Sequence, residues 1–320
     1  MQRPIFISSG DLIADRRYGF ASDLEKRGDF VGAADLYAQA AEIAPGFASA
    51  WFALGVVQAR LGDVARAADA FGKARAADPE DRHGAAVQLS RLTGETLAMP
   101  AGYVRTLFDQ YAPHYNLSLL DGLDYCGPQL LFAVVAEACR TLARQPYFDR
   151  ALDLGCGTGL AGEAFWQRID SLVGVDLSAA MVEHARRTGC YNHLHVADLL
   201  EFVSCESDRC VDLVIAVDSL PYMPDITPLA REVVRVLDEG GLFAFTCETH
   251  DGDGVLLRET LRYAHGEDYV RAALQAAGLD IVSLDKVSYR NEKDIPVPGL
   301  AVVAAKPAST APSAGASSSL

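Results

Sequence analysis

The chain has 320 residues, 43 of them acidic and 28 basic, for a formal net charge of −15, and half are apolar. This length exceeds what one hydrophobic core usually serves, so two domains are expected, and the apolar fraction excludes wholesale disorder. The acidic balance argues against bare nucleic acid or an anionic membrane surface as a partner, because both attract basic patches. Apolar runs such as Leu130 to Ala136 stop far short of the roughly 20 residues a membrane helix needs. Asp11 and Asp15 interrupt the stretch where a signal peptide needs its apolar core, so a soluble, cytoplasmic protein is expected. The seven cysteines are odd in number and lack the two-residue spacing of a zinc or redox pair. They read as free thiols, and no metal site is expected.

Residues 1–93 are expected to form a small helical domain. A shift of 34 residues lays Gly28-Asp29 on Gly62-Asp63, Ala33-Ala34-Asp35 on Ala67-Ala68-Asp69, Tyr37 on Phe71 and Pro45 on Pro79. Small residues recur where antiparallel helices approach closely, aromatics fill the gaps, and the proline closes each second helix. The pattern resembles the tetratricopeptide repeat, with Trp51, Leu54 and Gly55 opening the fuller copy. Residues 82–93 read as a capping helix. Two repeats expose apolar surface, so they are expected to pack on the second domain, self-associate or bind a protein partner.

Residues 94–128 form a linker rich in aromatics, among them Tyr103, Phe108, Tyr111, Tyr115 and Tyr125. An amphipathic helix is expected over 129–144. An apolar strand then runs into the glycine loop Asp153-Leu154-Gly155-Cys156-Gly157-Thr158-Gly159. Further strands end at Asp176, Asp198 and Asp218, and two more lie at about 280–289 and 300–305. Helices are expected at about 179–187, from Thr227 to Gly240, and at 267–277. Strands alternating with helices imply a doubly wound, Rossmann-like α/β domain over 129–306, with ligands held beyond the carboxyl ends of its strands. The tail 307–320 is almost wholly Pro, Ala, Ser, Thr and Gly and reads as disordered.

Two cofactors compete for that crevice. Gly157 to Gly162 fits a dinucleotide fingerprint, yet the domain holds no Tyr-x-x-x-Lys proton donor. The ordered set of Asp153 to Gly159, Asp176 and Asp198 resembles the class I S-adenosylmethionine-dependent methyltransferases across residues 100–306. That resemblance implies a seven-stranded sheet with an antiparallel C-terminal hairpin, and S-adenosylmethionine as cofactor with S-adenosylhomocysteine as product. It further implies that Asp153, Gly155, Gly157 and Gly159 face the methionine part and that Asp176 takes the ribose hydroxyls. Leu177 and Met181 would touch the adenine, Asp198 and the Leu199 backbone would bind its amino edge, and Asp218 would lie near the sulfonium. Phe108 to Tyr115 is similar to the lid segment of small-molecule methyltransferases, which adds Tyr103 and Tyr111 as cofactor contacts.

Methyl transfer from a sulfonium is an in-line displacement served mainly by positioning. His250, His265 and Tyr115 are the candidates for a base, should the acceptor need one. Asp251 to Gly254 reads as a flexible substrate-side loop. The expected function is methyl transfer to a small molecule. Transfer to a carrier- or protein-linked acceptor docked by the repeats, a non-catalytic cofactor-binding adaptor and a nucleotide-dependent oxidoreductase are the alternatives.

Overall fold

A computed structural model describes residues 5–95, 98–112, 125–292 and 294–308. Residues 113–124, among them Tyr115, and most of the tail lie outside them. Five helices open the chain: α1 (Leu12–Lys26), α2 (Phe30–Ile43), α3 (Ala48–Arg60), α4 (Val64–Ala77) and α5 (Ala85–Thr93). The repeated Gly-Asp pair explains their register. The aspartates cap α2 and α4, accepting the N–H groups of Gly32 at 2.9 Å and Arg66 at 3.1 Å. Small residues set the helix spacing: a Cβ on Gly55 would meet the Phe71 ring at 2.6 Å. Helix α6 (Ala101–Tyr111) leads toward the sheet domain, which begins with α7 (Gly127–Thr141).

The sheet domain alternates as its periodicity predicts. Its elements run β1 (Phe148–Leu154), α8 (Leu160–Phe165), β2 (Ile169–Asp176), α9 (Ala179–Thr188), β3 (His193–Val196), α10 (Leu199–Cys205) and β4 (Val211–Ala216). There follow α11 (Thr227–Val236), β5 (Leu237–Glu248), β6 (Val255–Leu257), β7 (Tyr263–His265), α12 (Glu267–Ala277) and β8 (Asp280–Val287). The last strands are β9 (Asn291–Glu292), β10 (Ile295–Pro296) and β11 (Gly299–Ala305). The main path is β3-β2-β1-β4-β5-β11-β8, with β11 antiparallel to both neighbours. The seven-stranded sheet and its antiparallel end are those expected.

Period-two alternation separates two cores. Val214, Ala216, Phe243 and Phe245 face α11 and α12, while Leu213, Ile215, Leu242 and Ala244 face α7 and α8. Two expectations need correcting. Helix α11 stops at Val236, and the Gly240-Gly241 pair lies inside β5, where Gly240 takes φ +75°. The segment after β5 is more than a loop: beyond the bends at 251–254, β6 and β7 pair antiparallel and extend the sheet beside β5. No helix among the described residues is long and apolar enough to cross a membrane.

Candidate active site

The carboxyl ends of β1 and β2 build one crevice. Gly155 and Gly159 take φ +83° and +95°, and a Cβ at either would strike Ser219 at 2.5 Å or the Ala185 backbone at 3.1 Å. Only glycine closes the loop this tightly. Asp176 sits opposite. Its two oxygens accept the N–H groups of Gly157 at 2.9 Å and Ser178 at 2.8 Å, which fixes the carboxylate with a lone pair left on each oxygen. Burial, with Asp109 close by, pushes its carboxyl up to about 6 despite those bonds.

Asp153 lies beneath the loop, fully buried, its carboxyl pushed up to about 7 by that burial. Tyr191 donates to one oxygen at 2.6 Å, and the other has no partner among the described residues. Sequence reasoning missed Tyr191. Its ring fills the space that a Cβ on Gly162 would take, at 2.6 Å. Gly162 therefore makes room for Tyr191, which accounts for the chance fit to a dinucleotide fingerprint. The orphaned Asp153 oxygen and the glycine cradle suit a ligand with amino and hydroxyl donors.

Asp198 caps α10, accepting the N–H groups of Leu200 at 2.9 Å and Glu201 at 3.1 Å, with Leu199 half-buried beside it. Leu177 is half-buried at the crevice edge. Met181 departs from expectation: it is fully buried, because the first turn of α9 faces the core, and Ser178 Oγ accepts its N–H. Ser178 Oγ also donates to Asp109 of α6 at 2.5 Å, so α6 is tied to the residue two positions beyond Asp176.

Asp218 also departs from expectation. Its φ of +58° swings the carboxylate onto Arg262, and Tyr289 donates to it at 3.0 Å. This belongs to a buried ionic cluster that sequence reasoning missed. Glu248, fully buried at the end of β5, receives Arg262, Arg290 and, at 3.2 Å, Arg258. Burial alone would raise the Glu248 carboxyl, but Arg262 and Arg290 hold it below its usual range. Arg262 lies over the Tyr222 ring and donates to its hydroxyl at 2.7 Å.

Beside this cluster the described residues enclose a cavity of about 840 Å³, walled by Asp218, Tyr222, Arg262 and Arg290 on the sheet side. Tyr103, Phe108 and Tyr111 of α6 line it, as do side chains of α3 and α5. Tyr103 lies toward the repeats, where its ring comes within 2.6 Å of a Cβ built on Gly84. Neither histidine proposed as a base lines the cavity. His250 is tied within its own loop, accepting the Gly252 N–H at 3.1 Å. His265 is no loop residue: it is fully buried in β7, donates through Nε2 to the Met223 carbonyl at 2.9 Å, and is pushed down to about 4 by burial.

Residues 152–245 match the family model of a methyltransferase domain, and residues 24–89 match that of the tetratricopeptide repeat. A ubiquinone biosynthesis O-methyltransferase of Xanthomonas oryzae pv. oryzae (strain PXO99A) is 30% identical over 95 residues, 29% of this chain and 40% of the relative. A malonyl-[acyl-carrier protein] O-methyltransferase of Salmonella typhimurium is 30% identical over 111 residues, 35% of this chain and 43% of the relative. The chain thus spans less than half the length of these relatives. The crystal structure of the [4+2]-cyclase SpnF shares the fold, at a TM-score of 0.51 and 20% identity over 67% of this chain and 98% of that one. Residues 152–245 are therefore a methyltransferase domain, carried behind tetratricopeptide repeats at residues 24–89.

Proposed function

We propose that the chain transfers a methyl group from S-adenosylmethionine to a small-molecule acceptor. The observation that carries this reading is Asp176, held by two backbone N–H groups above a glycine cradle and able to accept a hydroxyl on each oxygen. Such a paired acceptor suits a ribose diol, and the buried, half-satisfied Asp153 suits a donor on the amino-acid end. When bound, the cofactor supplies an activated methyl group on a sulfonium, so the protein's task is placement. Asp176 fixes the nucleoside, Asp198 and Leu177 lie where its base would rest, and α6 closes over the acid through Asp109. Tyr222 and Arg262 face the side from which an acceptor would approach. A dry, shaped site of this kind accelerates displacement chiefly by holding the reactants in line.

The shared fold alone does not decide the chemistry, since one neighbour is described as a cyclase. Both curated relatives are named as O-methyltransferases, which supports methyl transfer. A carrier-linked acceptor is the second reading. It is favoured by the relative named for an acyl-carrier-protein substrate and by repeats positioned at the cavity wall. Calorimetric titration with S-adenosylhomocysteine, with NAD as control, tests the proposal. Micromolar binding of the first and none of the second is expected. Silence toward S-adenosylhomocysteine, or binding of NAD in its place, would overturn it.

A further inference from the structure

Resting on the methyl-transfer reading, we propose that the cavity between the repeats and the sheet is the acceptor site and that it takes an aromatic carboxylate. The repeats would then be a wall of the substrate pocket and a source of its specificity.

Size is the first argument. About 840 Å³ lies within the roughly 300–1,000 Å³ of small-ligand sites, far too little for a folded partner. The second is the lining. Phe52 of α3 and Leu92 of α5 come from the repeat side and meet Tyr103, Tyr111 and Tyr222 across the cavity. Several aromatic faces around one space favour a flat apolar body.

The third is charge. Among the described residues, five arginines and no lysine line the cavity of a chain whose net charge is −15. The lining acids are mostly bridged already: Glu25 by Arg60 at 3.2 Å, Asp218 by Arg262, and Glu292 by Arg290 at 3.2 Å. Only Glu259, on an exposed turn, has no ion pair among the described residues. Two donors remain unmatched. Arg91 of α5 has no ion pair among the described residues. Arg290 is 94% buried, the complement of its 6% exposure, and its Nε has no acceptor among the described residues. A buried guanidinium N–H without a partner is costly, and a carboxylate satisfies it better than any neutral group. An acid entering this space meets Arg290 at the sheet wall and Arg91 at the repeat wall.

Fluorescence titration of the full chain, saturated with S-adenosylhomocysteine, tests the proposal with 2-naphthoate and with uncharged 2-naphthylmethanol. The naphthoate is expected to bind about tenfold more tightly. Val56→Trp fills the cavity from α3 and should abolish naphthoate binding with S-adenosylhomocysteine affinity unchanged. Arg91→Gln, at an exposed position, should weaken the naphthoate about fivefold and leave the alcohol unaffected. Equal affinity for the two probes, or naphthoate binding that survives Val56→Trp, would overturn the assignment. Should Val56→Trp also lose S-adenosylhomocysteine, its fold is damaged and Arg91→Gln decides, an unchanged naphthoate affinity overturning the proposal. Failure of the wild-type chain to bind S-adenosylhomocysteine would instead overturn the methyl-transfer reading.

Discussion

Asp176 and Asp153 show how burial sets the pH response of the crevice. Asp176 must be ionised to accept two ribose hydroxyls, yet burial holds it at about 6. S-adenosylhomocysteine affinity should therefore be flat above pH 7 and fall about tenfold per unit below about pH 6. Asp176→Asn should bind about a hundredfold more weakly, with that acid limb gone, since each charge-assisted bond contributes about 1.5–3 kcal/mol. A wild-type affinity unchanged between pH 7 and pH 5 would remove Asp176 from the site. Asp153 makes the complementary statement about stability. Its folded value, raised from 3.8 to about 7, means that the folded state binds the proton more tightly than the unfolded chain does. Stability of the ligand-free protein should fall as pH rises through that window, because the charged form is the one penalised. Asp153→Asn removes the titration, so thermal melts at pH 5 and pH 8 should differ less for the variant than for the wild type. An unchanged difference would locate the pH response elsewhere.

Helix α6 links the repeats to the crevice, and its packing makes that link testable. A Cβ on Gly102 would stand 2.2 Å from the Glu80 carbonyl, and Arg105 pairs with Glu80 at 2.8 Å. Seven residues beyond Gly102, Asp109 takes the hydroxyl of Ser178. Gly102→Val should force α6 off the repeats at a cost of about 1–3 kcal/mol. It should also weaken S-adenosylhomocysteine binding although residue 102 does not touch the crevice; unaltered affinity would show that α6 is seated by the sheet alone. How far such elements could be read beforehand depends on the range of the interactions that make them. The glycine loop, the strand-end acids and the Gly-Asp caps are local patterns, and they were legible. His265 looked like a loop residue because a strand of three residues carries too little periodicity to declare itself. The cluster of Asp218, Arg262, Glu248 and Arg290 was invisible, since it joins side chains up to 72 positions apart and no spacing rule reaches that far. Asp218 was legible as the residue after a strand, but its left-handed backbone turns the carboxylate to Arg262, which no local pattern announces.

At the scale of the whole molecule, the question is what the repeats contribute beyond their own fold. They have separate apolar cores, one centred on Tyr37 and Phe47 and one on Phe52 and Phe71, distinct from the two that sandwich the sheet. Their meeting with the sheet domain runs through α6 and the cavity, where aromatic and ionic groups from both sides face one space. A simple prop would bury a continuous apolar seam, whereas an open cavity at the junction suits a site built from both parts. A chain lacking residues 1–93 should keep its sheet, because β1 to β11 and their covering helices draw on neither repeat core. It should nevertheless bind S-adenosylhomocysteine about tenfold more weakly, because α6 loses the Glu80 and Gly84 surfaces that brace it while keeping its ties to Ser178 and Tyr222. Circular dichroism and calorimetry on the truncated chain separate the outcomes. A folded sheet with full affinity would show that α6 needs no brace, and an unfolded product would show that the repeats hold the sheet domain together.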